Sequence, residues 1–541
     1  MLSLAILAGC AHHARSASFA LAATKTSPAC VNPDDSGAIR LAAYSQDDSP
    51  LPEAAPDPAV DRNSEPTSGG VGEENENDSP DVELLPTVPP NTDAEPLTLD
   101  EVIRSTYLRF PLLESALASR DVAFGNHLAA HGAFDLKLKG ATENSPLGFY
   151  ETYRQSVGLI QPLYSGSEVW GGYRIGRGSF EPWYLERQTN DGGEFKAGVT
   201  VPLLRNRTID ERRAELWRTR LDQQLAQFDI QAQVIAFVQE AGYAYWDWVA
   251  AGRQQEIAKR VLDLAVSRTD RIKRQVDLGL IDPPELTENL RLVADRQAKL
   301  ADATRKLEQK AAKLSLYFRD ETGRPIVPPS TRLPRFPEPR LIDAARVAED
   351  IQVALESRPD LQLIDTLRRQ FEIDRQQAYN TLQPDLSAVI WGSQDVGTPS
   401  SSKRDKSPFV MEAGMYVDVP VQRRKARGKI TAVEAKLRQL AAKRRMTQDK
   451  IAVDVQTAYA ALTASFKQVQ QTREAVQLAE ELAERERRNF EAGASDLIEV
   501  TLREQYAAES AVKEADALLQ YHQAQADYRA AMAADSTPRM D

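Results

Sequence analysis

Two stretches of this chain run for about seventy residues without a proline: 206–276, 71 residues, and 423–491, 69 residues. Both are rich in Ala, Gln, Glu, Arg and Leu, which favour helix. At ~1.5 Å per residue such a helix reaches ~105 Å, where a small domain is only ~30 Å across. A chain with two such helices must cover their apolar stripes with something equally long. The segments that return, 284–318 and 496–533, are half that length. Helical patterns at 98–132 and 343–381 supply the rest, so the simplest packing sets two short helices end to end beside each long one.

The same plan is therefore written twice. Residues 96–136 and 341–386 each read as a helix, a break before Pro111 or Pro359, a second helix, and an Asp-Leu pair that opens a strand. Each half reaches a strand that ends at proline. In FKAGVTVPLL the alternation runs through Phe195, Ala197, Val199, Val201 and Leu203, with Pro202 at the exit. In FVMEAGMYVDVPVQRRKARGKI it runs from Met411 to Val421, with Pro420 at the exit. A period of two predicts strands with one apolar and one polar face. Ala-Tyr pairs follow at Ala244-Tyr245 and Ala458-Tyr459, and each Tyr precedes a turn glycine, Gly279 or Gly493, by 34 residues. The first half carries an insertion with its own strand exit, Gly158 to Pro162, so the repeat is imperfect. Between the halves, six prolines in 319–340 forbid a helix and predict an extended crossover.

Charge divides the chain differently. The net charge of −12 comes almost entirely from residues 41–95, which hold fourteen Asp or Glu against Arg62 alone. That segment is also rich in Pro, Ser and Asn, so 31–95 reads as a disordered acidic tether. The remaining body is nearly neutral and has no basic stripe for nucleic acid. No run of 18 apolar residues predicts a membrane-crossing helix, although strands that cross a bilayer leave no such run. Residues 1–30 read as an export signal, and Leu7-Ala8-Gly9-Cys10 resembles a bacterial lipobox in which Cys10 is lipidated. The second cysteine, Cys30, lies in low-complexity sequence, so a disulfide framework is excluded. There is no GxSxG, Walker-type phosphate loop or HExxH, and only five His are present, so no enzyme is predicted.

The order of these motifs, twice over, resembles the TolC family of outer-membrane efflux proteins, across about residues 96–533. The matching stretches are LTLDEVI with Pro111-Leu112, the exits QPLYSG, VPLLRN and VPVQRR, the motif AYWDW and the hairpin FEAGASDLIEV. The resemblance implies a mainly α protein with a membrane β-barrel. Three copies of four strands each would close a twelve-strand barrel, continued by a helical barrel in the periplasm. It divides the body into a first repeat at 96–318, a crossover at 319–340, a second repeat at 341–533 and a tail at 534–541. Strands are expected at about 135–204 and 385–421. The implied role is a passive duct of a tripartite efflux or type I secretion system, without cofactor. Its partners would be a homotrimer, a periplasmic adaptor, an inner-membrane pump and outer-membrane lipid.

Within that resemblance the hairpin tips are the candidate periplasmic gate: Asp277 and Asp282 beside Gly279, and Asp496 and Glu499 beside Gly493. A three-fold axis would turn each carboxylate into a ring; the plainer reading is solvated turns, with Asp496 capping a helix. Pro162, Pro202 and Pro420 mark the strand-to-helix exits. His127 and His131 lie four apart on a helix but make a poor metal site without a third ligand. Tyr245, Trp246, Trp248 and Tyr459 are expected to pack between helices. Trp170, Tyr173, Trp183 and Tyr184 could form an interfacial aromatic belt. The competing reading is a periplasmic coiled-coil adaptor or scaffold without a barrel.

Overall fold

The computed structural model describes residues 95–181, 187–400 and 409–535, all within the unit Val82–Asp541. Cys10, the acidic tether, and the aromatic residues Trp183 and Tyr184 lie outside the described residues.

Helices α1 (Leu99–Arg109) and α2 (Pro111–His131) meet at Phe110, which is extended (φ −80°, ψ 119°) because the residue before a proline is pushed out of the helical region. Pro111 then occupies the first position of α2, where an N–H would have no partner anyway. Arg358 (φ −65°, ψ 124°) makes the same break before Pro359, between α5 (Val347–Ser357) and α6 (Pro359–Asn380). The long helices are α3 (Glu211–Asp277) and α7 (Arg424–Glu491), and their return helices are α4 (Pro283–Leu314) and α8 (Leu497–Ala531). Both long helices begin later than proline spacing alone suggests, after left-handed residues, Asn206 (φ 66°) and Arg423 (φ 50°), that turn the chain out of the sheet. Asp210 caps α3 by accepting a hydrogen bond from the Arg213 amide at 2.9 Å.

Each long helix carries two shorter ones along its length. Near the sheet the helices neighbour one another in the row α2–α3–α6–α7, and toward the hairpin tips in the row α4–α3–α8–α7. The core follows these rows. Phe110 at the break, with Leu113 and Ala116 of α2, buries against Ile230, Val234 and Val238 of α3. In the second half, Ala354 and Leu361 meet Ile451, Val455 and Leu462 of α7, with Tyr521 and Tyr528 of α8. Where α1 meets the end of α4, Leu97, Val102, Leu314 and Phe318 close around Tyr245 and Trp248. The crossover 319–340 forms no α-helix but is only partly extended, folding back between Arg319 and Pro325 and making a 3-10 turn at Ser330–Arg332, and it straps this level. Leu97 donates to Arg332 O at 2.9 Å, and Leu333 lies against Gly252 of α3, where a Cβ would come within 2.6 Å of the leucine methyls.

The strands form one open antiparallel sheet in the order β1 (Lys137–Ser145), β2 (Thr152–Pro162), β3 (Glu168–Gly178), β4 (Glu194–Pro202), β5 (Asp385–Asp395) and β6 (Val410–Asp418). Among the described residues the sheet has six strands, where four per chain were expected. The inserted region supplies a hairpin, β2–β3, in which β2 pairs with β1 through Thr152 to Ile160 on one side and β3 pairs with β4 for seven residues on the other. Its glycine-rich strand, EVWGGYRIGRG, lacks the apolar alternation that marks β4 and β6. Two inserted strands keep the alternation of direction, so β4 still runs toward the helices.

Candidate functional site

Register assigns every side chain of the sheet to a face, because residues directly opposite in an antiparallel pair point the same way. From β6 inward, Met411 faces Gly392, Ala413 faces Ile390, Met415 faces Ala388 and Val417 faces Leu386. The same face continues through Val199 and Ala197 of β4, Val169 and Tyr173 of β3, Val157 and Leu159 of β2, to Leu138 of β1. It is apolar and uncovered: Leu138, Met411, Met415 and Val417 each keep about two thirds of their surface or more. An apolar face this exposed requires a non-aqueous neighbour.

The opposite face carries Lys137, Lys139, Glu143, Arg154, Arg174, Glu194, Lys196, Glu412 and Asp418. Glu194 is buried here in an ion pair with Arg174. Lys196 lies 3.3 Å from the Trp391 ring centre and 6.0 Å from that of Trp170, a cation–π arrangement. Trp170 therefore belongs to the charged face. That corrects the expectation that it joins an aromatic belt toward lipid: β3 enters with Val169 on the apolar face, so period two turns Trp170 inward. Tyr173 does lie on the apolar face, 4.9 Å from Phe195.

The exits lie at one end of the sheet. Pro202 closes β4 and Pro420 follows β6 by two residues, each ahead of a long helix, whereas Pro162 closes β2 but leads through a turn into β3, which corrects its expected place as a strand-to-helix exit. The turn after Pro162 docks on the helices. Tyr164 stacks on Phe134 at 4.3 Å and bonds His131 at 3.2 Å, Glu168 pairs with Arg212 at 2.5 Å, and Gly166 (φ +88°) leaves no room for a Cβ beside Asn206 O and the Arg213 guanidinium. His127 bonds the Thr219 hydroxyl at 3.0 Å, and among the described residues no group of three metal-ligating side chains occurs.

At the far end, α3 and α4 meet at Gly279 (φ +69°), and α7 and α8 at Gly493 (φ +76°). Asp277 is the last residue of α3, and Asp282 sits at the cap position of α4 without a capping bond. Asp496 caps α8, accepting the Glu499 amide at 2.8 Å, and Glu499 pairs with Arg503 at 3.1 Å. Of the four carboxylates, then, Asp496 is occupied by its own helix and Glu499 is paired. Leu278, Leu280 and Ile498 project beside them with roughly 70% of their surface exposed, which sequence reasoning missed because residues in a turn or in the first turn of a helix carry no period.

A second feature was also invisible in the sequence. Behind the tips, Glu504 of α8 is buried against Arg268 of α3, Arg296 of α4 at 3.1 Å and Arg487 of α7 at 3.6 Å. Three guanidinium groups thus meet one carboxylate where the four helices converge. Burial pushes the Arg268 guanidinium below its usual range, against the pull of Glu504. The aromatic motif of α3 is a packing element, as expected. Tyr245 donates to Leu97 O at 2.8 Å, and Trp246 stacks on His522 at 4.0 Å, with Phe336 of the crossover beyond.

Among the described residues, then, one open sheet with an exposed apolar face continues into a curtain of helices four across. Solved structures agree on the fold. A membrane protein from Pseudomonas aeruginosa is 15% identical over 80% of this chain and 92% of its own, with a TM-score of 0.58. The Campylobacter jejuni CmeC outer membrane channel is 12% identical over 82% and 87%, at 0.57. The Vibrio cholerae outer membrane protein VceC is 14% identical over 80% and 96%, at 0.56. The fold is that of the TolC family of outer-membrane channels. No family model and no curated protein matches the sequence.

Proposed function

We propose that this protein is the outer-membrane duct of an efflux or secretion system. The observation that carries this reading is the sheet: one face apolar and exposed, the other charged, and both edge strands unpaired. Open edges are forbidden in hydrocarbon, because each unpaired backbone group there costs several kcal/mol. Copies must therefore close the sheet, and three do so in the family it resembles. The helical rows would continue the wall into the periplasm. The solved neighbours described as outer membrane channels support the same reading.

The duct would be passive, its energy supplied by an inner-membrane pump through a periplasmic adaptor. Exposed Leu278, Leu280 and Ile498 give such an adaptor an apolar foothold. Asp277, Asp282, Asp496 and Glu499 would form rings at the tunnel mouth and attract cations. The test is reconstitution of purified full chain into planar bilayers, with carbonate extraction of the membranes it comes from. Discrete conductance and carbonate resistance are expected. Protein that washes off and conducts nothing would return the reading to a periplasmic scaffold.

A further inference from the structure

We propose that the arginine cluster behind the hairpin tips is a binding site for one small monovalent anion, of chloride's size and charge. The site lies wholly among α3, α4, α7 and α8, so it does not depend on the duct reading. Charge is out of balance there, in a place shielded from water. Arg268 and Arg296 are each about 6% exposed at the side chain, and Glu504, the carboxylate they share, about 1%. Arg487 at the margin has a carboxylate of its own, Glu484 at 2.5 Å. Among the described residues no second carboxylate pairs with Arg268 or Arg296. Acidic residues on the flanking turns are engaged elsewhere: Glu491 with Arg271, Glu499 with Arg503 and Asp295 with Lys299. Two buried cations therefore share one buried anion, and an uncompensated charge in such a place is costly.

The hydrogen bonds are short of acceptors in the same way. Glu504 accepts from Nη2 of Arg268 and of Arg296, and Val261 O accepts from Arg296 Nη1 at 2.9 Å. Arg268 Nη1, Arg487 Nε and the Thr501 hydroxyl are buried with no bonding partner. Thr501 stands one turn before Glu504 on α8, on the same side of the helix. The Phe490 ring lies 5.7 Å from the Arg268 guanidinium carbon and brings no counter-charge. Water would accept these bonds but leave the charge as it is. A halide does both, because it accepts from several directions and carries the missing negative charge. A cavity of about 770 Å³ offers a path in: it lies between α4 and α8 over α3, with Arg296 and Thr501 in its lining.

Bromide reports occupancy directly. Crystals of the full chain soaked in sodium bromide should show an anomalous peak within hydrogen-bond reach of Arg268 Nη1. No anomalous peak there, with water or nothing in its place, overturns the inference. In solution, amide exchange of the full chain in detergent is followed as chloride replaces gluconate at constant ionic strength. Peptides covering 262–300 and 484–508 should slow along a saturating curve, by ~10-fold once chloride stands at about ten times its Kd. Arg268→Met removes one cation together with its orphaned donor and should flatten that curve. An equal response in Arg268→Met marks a general salt effect and overturns the inference, as does no response in the native chain. The bromide crystals use the native chain, so they decide the matter even where the substitution unfolds the tips.

Discussion

Replacing Glu504 with Gln tests what holds the two hairpins together. The substitution keeps the shape of the side chain and removes the one negative charge that Arg268, Arg296 and Arg487 share. Arg268 and Arg296 are each only about 6% exposed at the side chain and Glu504 about 1%, so water does little to screen the loss. Breaking a buried pair from one side costs ~3–5 kcal/mol, because the partner charge stays behind. Arg487 is partly hydrated and softens its own share. The cost falls locally, where α3, α4, α7 and α8 converge, so the assay is amide hydrogen exchange on peptides covering 262–300 and 484–508. At 1.36 kcal/mol per tenfold, the expected acceleration is ~10²–10⁴. Exchange near the AYWDW level should not change. The triple substitution Glu504→Leu, Arg268→Met and Arg296→Met removes charge and partner together and should exchange within about tenfold of the native chain. If Glu504→Gln accelerates exchange less than tenfold, the carboxylate is not what neutralises this cluster and the reasoning fails.

Other consequences follow from single residues. Burial lowers the His522 pKa to about 4, so the folded protein holds it neutral. Its stabilising contribution is present above the unfolded pKa of ~6.5 and is lost as pH falls toward 4, ~3 kcal/mol in all. Urea unfolding followed by Trp fluorescence at pH 7 and pH 4.5 should show the loss, and His522→Phe should abolish that difference. Asp496→Ala removes a capping bond and should cost ~1 kcal/mol at the second tip. Asp282→Ala, which breaks no capping bond, should stay within ~0.5 kcal/mol in the same exchange measurement. Met415→Lys places a charge on the apolar face at a cost of ~2–4 kcal/mol and should cut the yield of assembled protein in outer-membrane fractions. Thr200→Lys on the charged face should not.

How far the sequence carries depends on how local each signal is. The long helices, the turn glycines and the breaks at Pro111 and Pro359 depend on neighbouring residues, and a proline or a positive φ leaves its mark within one turn. β4 and β6 were legible because Phe195 to Val201 and Met411 to Val417 alternate cleanly. β3 was not, because Gly171, Gly172 and Gly176 replace the side chains that would have shown the period. Its pairing with β2 and β4 is what makes it a strand. The Glu504 cluster joins residues more than two hundred positions apart and had no local trace at all. The tip carboxylates were found by position, yet their differing roles needed hydrogen bonds: Asp496 bonded within its helix, Asp282 not.

The strap at 319–340 has a mechanical consequence. It crosses α3 at Gly252, where the helix is notched to receive Leu333, and Tyr521 of α8 both accepts from Arg340 N and donates to Arg340 O at 2.8 Å. The span from that notch to Gly279 is a lever of ~40 Å, at ~1.5 Å per residue. One degree of tilt about the fulcrum therefore carries the hairpin end through ~0.7 Å, and five degrees through ~3–4 Å. A segment that joins two halves of a chain thus also marks the level from which any tilt of the hairpins would be magnified at their ends.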